Sequence, residues 1–80
     1  MKVIKRDGRI IDFDRSKIDI AIEKANKEVR GKERATKEEI KKIIVYIEEL
    51  DKKRILVEDI QDIIEQKLME FGKYELAKKY

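Results

Sequence analysis

The residues of this chain that could bind a ligand through charge lie close to its first residue. Lys5 and Arg6 directly precede Asp7-Gly8, a pair that is typical of a tight turn between two strands. Two cations on a rigid turn can hold phosphate oxygens in fixed positions. Lys17 follows in the first turn of a predicted helix, where free backbone N–H groups also favour an anion. These residues predict phosphate binding, although surface hairpins also carry such cations simply to prevent aggregation.

The distribution of charge favours a compact anionic ligand. The 80 residues include 21 lysines and arginines against 18 aspartates and glutamates, which makes the net charge +3. Residues 1–17 contain six cations and three anions, so the whole surplus of three lies there and residues 18–80 are balanced. A patch of this size suits a nucleoside triphosphate better than an extended duplex, which would need cations spread over a longer face.

Composition excludes several classes of chemistry. The chain contains no cysteine and no histidine, so it has no disulfide, zinc finger, thiol nucleophile or histidine base. Its three glycines do not form the phosphate-binding loop of P-loop proteins. No apolar run is long enough to span a membrane. We therefore expect a cytoplasmic domain with no catalytic residues, no metal site of its own and no membrane partner.

Two short β-favouring runs flank Asp7-Gly8 and predict a β-hairpin. A two-residue turn pairs positions whose numbers sum to fifteen, which places Ile4 opposite Ile11 on one face and Val3 opposite Asp12 on the other. A lone hairpin is only marginally stable in water, so a third strand or a helix must cover it. Residues 55–57 could supply that strand.

Periodic apolar residues predict two helices in the first half of the chain. The first pattern extends over residues 14–29, with Asp14 and Ser16 as equally good N-caps and Gly31 placed to end the helix. The second follows Thr36-Lys37-Glu38-Glu39, which has the form of a capping box. Both stripes are typical of helices that pack one face against a core.

The last part of the chain predicts two further helices. Residues 58–71 repeat the helical pattern, with Val57 at the N-cap position and Gly72 just after the C-terminal end. Residues 74–80 begin a fourth helix that is too short to be stable alone. The predicted fold class is α+β, mainly α, in which the N-terminal hairpin, with the option of a short third strand, caps a bundle of about four helices.

Some apolar residues could serve a ligand as well as the core. Val3, Phe13, Ile18 and Ile60 are placed where the sheet is expected to meet the helices. A flat base could lie against them, and ordinary core packing is the alternative.

The order of several motifs along the chain is more specific than any one of them. They are Val3-x-Lys5-Arg6-Asp7-Gly8, Phe13-Asp14, Lys17-Ile18, Ile55-x-Val57-Glu58-Asp59-Ile60-Gln61-Asp62, Gly72 and Leu76-Ala77-x-x-Tyr80. This order resembles the ATP cone, the nucleotide-sensing domain of ribonucleotide reductases and of the repressor that controls their genes. The resemblance covers nearly the whole chain.

The resemblance implies a domain that binds ATP as an activator or dATP as an inhibitor of ribonucleotide reductase, with Mg²⁺ carried by the nucleotide. It implies a single domain over residues 1–80 whose C-terminal helix is cut short, and a parent that looks most like the anaerobic reductases. The implied partners are the catalytic domain of that parent and other cones. The residues that match phosphate contacts of the family are Lys5, Arg6 and Lys17. Those that match adenine and ribose contacts are Val3, Phe13, Ile18, Val57 and Ile60, although the family often has a hydroxyl residue where Val57 stands.

Two other functions compete with nucleotide sensing. A small basic domain of this kind could bind nucleic acid, or regulate transcription as the ATP-cone repressor does. The repressor's zinc ribbon needs cysteines, which this chain lacks. A helical adaptor that binds another protein without regard to nucleotide is the second alternative.

Overall fold

Three short strands form one small sheet in the computed structural model, which describes residues 1–80. They are β1 (Lys2–Ile4), β2 (Ile10–Asp12) and β3 (Arg54–Leu56), and their order across the sheet is β2-β1-β3. Strand β1 runs antiparallel to β2 and parallel to β3. The third strand is therefore confirmed, and it places a segment from the middle of the chain beside the N-terminal hairpin.

The predicted register of the hairpin is wrong by one residue. Val3 pairs with Ile11 and Ile4 pairs with Ile10, so the paired numbers sum to fourteen. A shift of one residue moves every side chain of β2 to the opposite face of the sheet. As a result, Ile11 shares the inner face with Val3, and Ile10 lies with Ile4 on the outer face.

The cause of this shift is the length of the turn. The Lys5 N–H donates to the Arg9 carbonyl at 2.8 Å, and the Gly8 N–H donates to the Lys5 carbonyl at 2.9 Å. The connection therefore contains three residues, Arg6 to Gly8, where two had been predicted. Gly8 allows this three-residue turn because its φ is +88°, a conformation that glycine adopts without strain.

Four α-helices follow and pack beneath the sheet. They are α1 (Arg15–Asn26), α2 (Lys37–Glu48), α3 (Val57–Glu70) and α4 (Tyr74–Lys79), and a single 3₁₀ turn, Gly31–Glu33, lies between α1 and α2. The predicted fold class, α+β and mainly α, is confirmed. The longest helix has 14 residues, and none has the length and hydrophobicity that a membrane span requires.

Local hydrogen bonds define the ends of several helices as predicted. Asp14 is the N-cap of α1, because its carboxylate accepts the Ser16 N–H. Thr36 and Glu39 form the expected capping box at the start of α2. Gly72 follows α3 with a φ of +79°, which lets the chain turn directly into α4.

Helix α1 ends three residues earlier than its apolar stripe suggests. Val29 is buried although it lies beyond the last helical residue, and Gly31 begins the 3₁₀ turn instead of ending α1. At this end of the helix, the buried side chain of Asn26 exchanges two hydrogen bonds with the backbone of Ala35 at 2.9 and 3.0 Å. This amide closes the loop that brings α2 back along α1.

Helix α3 begins one residue earlier than predicted. Val57 is its first residue and the N-cap is Leu56, which has no side-chain acceptor. The chain passes from β3 into α3 without a loop, so the strand itself sets the helix start. Glu58 and Asp59 stabilise this uncapped end through their charge.

One hydrophobic core joins the sheet to all four helices. The inner face of the sheet contributes Val3 and Ile55, and α4 contributes Leu76, which is fully buried. The helices α1, α2 and α3 and the loop after α1 provide the rest, namely Ile18, Ile22, Ala25, Val29, Ala35, Ile40, Ile43, Ile44, Ile47, Ile60, Ile64 and Leu68.

Candidate functional site

A cleft of about 180 Å³ opens where the inner face of the sheet meets the first turns of α1 and α3 and the end of α4. Ligand pockets usually measure about 300–1,000 Å³, so the cleft can enclose only part of a nucleotide. The rest of such a ligand would lie over the open hairpin. The lining residues are Val3, Lys5, Ile11, Asp12, Phe13, Asp14, Lys17, Ile18, Val57, Ile60, Gln61 and Tyr80.

Seven of the eight residues expected to contact a nucleotide line this one cleft, from four separate elements of the fold. Val3 and Phe13 come from the hairpin and the segment after it, Ile18 from α1, and Val57 and Ile60 from α3. They form an apolar floor of the cleft. Lys5 and Lys17 are the two cations that line the cleft.

These two lysines differ from the other cations of residues 1–17. Neither Lys5 nor Lys17 has a carboxylate within 4 Å, whereas each of the other four is held in an ion pair. The pairs are Lys2–Asp12, Arg6–Glu58, Arg9–Asp7 and Arg15–Glu48. Lys5 and Lys17 are therefore the cations of residues 1–17 that have no ion-pair partner, and both line the cleft, where an anionic ligand would meet them.

Arg6 is the expected phosphate contact that does not line the cleft. Its Nε lies 3.2 Å from Oε1 of Glu58, and its Nη2 donates to Oε1 of Gln61 at 2.9 Å. The side chain is 70% exposed, so this is a surface ion pair that contributes little to stability. Because Gln61 lines the cleft, the guanidinium of Arg6 lies at the margin of the cleft.

The N-terminus of α1 offers fewer free donors than the sequence suggested. Asp14 accepts the Ser16 N–H at 3.0 Å and the Ser16 hydroxyl at 2.6 Å. These hydrogen bonds from Ser16, first from its side chain and then from its backbone, lower the pKa of Asp14. Any phosphate at this end must therefore rely on side-chain cations more than on the helix backbone.

The depressed pKa of Asp14 predicts a pH dependence. A folded-state pKa below the ordinary value means that ionised Asp14 stabilises the fold above the ordinary carboxyl pKa and loses this effect as the pH falls through the lowered value. Asp14→Asn keeps an N-cap but cannot titrate. We expect urea denaturation of Asp14→Asn to show a smaller loss of stability in acid than the parent chain. The control is Asp62→Asn, which removes an exposed carboxylate that accepts no hydrogen bond. This variant should lose as much stability in acid as the parent chain does.

Five residues that line the cleft were not expected to contact a nucleotide: Ile11, Asp12, Asp14, Gln61 and Tyr80. The predicted register had placed Ile11 on the face of the hairpin opposite to Val3. Gln61 lies four residues after Val57, and this helical spacing could have placed it on the same face. Tyr80 belongs to one of the motifs that resemble the family but was not among the residues expected to contact a nucleotide. Its burial and, to a smaller degree, the charge of Glu65 raise its pKa, so its hydroxyl is a neutral donor at neutral pH.

A larger but shallow groove, about 560 Å³, lies on the outer surface of α2. It contains none of the residues expected at a nucleotide site, and its lysines Lys41 and Lys42 stand beside Glu38 and Glu49. No group of three or more carboxylates is close enough to hold a metal ion. The smaller cleft is therefore the site in which the apolar and cationic residues expected from the sequence come together.

Comparison with known proteins shows which family and which relatives this sequence is similar to. The sequence model of the ATP cone domain matches residues 1–80. The alpha subunits of ribonucleoside-diphosphate reductase from Chlamydia trachomatis (serovar D) and Chlamydia muridarum are 38% and 40% identical to the chain over its full length. The vitamin B12-dependent ribonucleoside-diphosphate reductase of Thermoplasma acidophilum is 38% identical over 85% of it. The chain spans about 9% of the length of each relative.

Proposed function

The chain belongs to the ATP-cone domain family, and from this we propose that it binds ATP and dATP in the cleft and thereby regulates a ribonucleotide reductase. One observation carries the proposal: an apolar floor and the two unpaired lysines meet in a single cleft. A nucleoside triphosphate has both an apolar base and a polyanionic tail, so it satisfies both halves of the site at once.

In the proposed complex the base lies against the apolar floor formed by Val3, Phe13, Ile18, Val57 and Ile60. Lys5 and Lys17 contact the phosphates, and Arg6 reaches them from the margin with the N–H groups that Glu58 and Gln61 do not engage. Mg²⁺ arrives on the phosphates, because the chain has no carboxylate cluster for it. Val57 has no hydroxyl, so polar contact with the ribose must come from another residue of the cleft.

The proposed role is allosteric, with ATP as activator and dATP as inhibitor. Catalysis belongs to a separate domain of the parent protein, with which this domain communicates. The names of the relatives are those of diphosphate reductases, one of them dependent on vitamin B12. The anaerobic type predicted from the sequence stays a prediction.

Calorimetric titration with four ligands tests the proposal. ATP and dATP should both bind, whereas adenosine and inorganic triphosphate should each bind much more weakly, because each engages only one half of the site. If neither ATP nor dATP bound at about 1 mM, the proposal would be contradicted. If triphosphate bound as tightly as ATP, the apolar floor would not be a base site.

The same sample can be tested against the nucleic-acid alternative. A duplex-binding domain would show DNA affinity that falls steeply with salt, because phosphate contacts release counterions. We expect no such binding, since four of the six cations in residues 1–17 are already paired within the chain.

A further inference from the structure

Helix α4 has no cap of its own, and a residue from elsewhere in the chain supplies one. The N-cap position holds Lys73, whose side chain cannot accept a hydrogen bond. The N–H of Glu75, in the first turn of α4, donates instead to Oε1 of Glu33 at 3.0 Å. Glu33 belongs to the 3₁₀ turn between α1 and α2, 42 residues earlier in the chain. Its negative charge is also favourable beside the N-terminus of a helix.

The side chain of Lys73 makes a second connection to the same turn. It is only 14% exposed, and its ammonium donates to the backbone carbonyl of Lys32. The ammonium also lies 3.8 Å from Oε1 of Glu39, the residue that completes the capping box of α2. A lysine so far removed from water needs such partners to remain charged. The start of α4 is therefore held by two hydrogen bonds to the 3₁₀ turn and by the charge of Glu39.

These polar contacts fix the direction of α4. A helix of six residues is too short to be stable alone, so its position depends on contacts with the rest of the fold. Leu76 holds the middle of the helix in the core. One anchor would let a short helix swing about that point, whereas a second anchor at its start fixes its axis. The axis decides where the other end lies, and at that end Tyr80 lines the cleft.

We propose that Glu33 and Lys73 are positioning residues of the cleft, which hold α4 in the orientation that keeps Tyr80 in the cleft wall. Neither residue lines the cleft, so each acts through α4. A change in the 3₁₀ turn thus alters the cleft from outside it. The placement of Tyr80 is independent of any ligand, whereas an effect on nucleotide affinity rests on the proposed function.

Tyrosine fluorescence can report on Tyr80 alone. The chain has three tyrosines and no tryptophan, so Tyr46→Phe with Tyr74→Phe leaves Tyr80 as the only emitter. In this background acrylamide should quench Tyr80 more slowly than free N-acetyltyrosinamide, because Tyr80 is partly buried. Adding Glu33→Ala or Lys73→Met should raise the quenching rate toward that of the free compound. The measurement is made at a temperature at which circular dichroism shows the variants to be folded.

A conservative variant separates positioning from stability. Glu33→Gln keeps an oxygen that can accept the Glu75 N–H, so Tyr80 should stay as protected as in the parent. The control is Glu49→Ala, which removes an exposed carboxylate that forms no ion pair. If Glu33→Ala and Lys73→Met lower the Tm but leave Tyr80 protected, the proposal is overturned. Equal quenching in Glu33→Ala and Glu33→Gln would overturn it as well, and this comparison decides if Lys73→Met does not fold.

Calorimetric titration of the same variants with ATP distinguishes this proposal from the proposed function. Glu33→Ala should weaken ATP binding about threefold to tenfold, roughly the loss of one uncharged contact, and Glu33→Gln should not. A parent chain that binds no ATP would contradict the proposed function alone. The quenching result would still decide whether Glu33 and Lys73 position Tyr80.

Discussion

Lys5→Met together with Lys17→Met should lower the affinity for ATP and dATP at least about 100-fold. Hydrogen bonds to charged groups contribute about 1.5–3 kcal/mol each, and tenfold in affinity corresponds to about 1.4 kcal/mol. The two lysines are the cations of the cleft that have no carboxylate partner in the chain. Neither lysine must break an ion pair within the chain before it contacts a phosphate. Calorimetric titration measures the loss directly.

A control with the same loss of net charge separates local contacts from the general field of the protein. Lys41→Met with Lys42→Met removes two exposed lysines from the outer surface of α2, beside the shallow groove and not the cleft. This pair should change nucleotide affinity by less than about threefold, because neither side chain lines the cleft and salt weakens the field of exposed charges. Equal losses for the two double variants would show that Lys5 and Lys17 make no specific phosphate contact.

Leu76→Ala should have the largest effect on stability. Leu76 is fully buried, and it holds the six-residue helix α4 against the core. Truncation of a buried leucine costs about 2–5 kcal/mol, which is a large part of the total of about 5–15 kcal/mol for a domain. Thermal unfolding followed by circular dichroism should show a Tm lowered by at least about 10 °C.

Ile20→Ala serves as the control for this truncation, because Ile20 lies on the exposed side of α1. It should change stability by no more than about 0.5 kcal/mol. A Leu76→Ala variant that melts as the Ile20→Ala variant does would mean that α4 is not packed on the core. The site depends on this packing, since the chain after Leu76 carries Tyr80 into the cleft.

The starts of α1, to within two residues, and of α2 could be predicted from the sequence because they depend on neighbouring residues. Asp14 and Thr36 each cap a helix by accepting an N–H that is two or three residues away. The end of α1 could not be predicted in this way. Val29 satisfies the apolar pattern from a turn outside the helix, and the bond that closes the turn joins Asn26 to Ala35, nine residues later.

The register of the hairpin was ambiguous in the sequence for two reasons. A glycine at position 8 suits a two-residue turn and a three-residue turn equally, since both need a positive φ there. Ile10 and Ile11 are both apolar, so alternation does not reveal which of them faces inward. In the structure, Ile11 is the one that packs, partly buried, against the core.

The sequence by itself determined the family, the fold class and seven of the eight expected residues that meet in the cleft. Those residues belong to short motifs, and each motif directs its side chains through local backbone geometry. Only the tertiary structure decided which cations are available to a ligand. Arg6 reaches Gln61 across 55 residues of chain and Arg15 reaches Glu48 across 33, so their pairing depends on how the elements pack. Lys5 and Lys17 remain unpaired because that packing brings no carboxylate within 4 Å of either one.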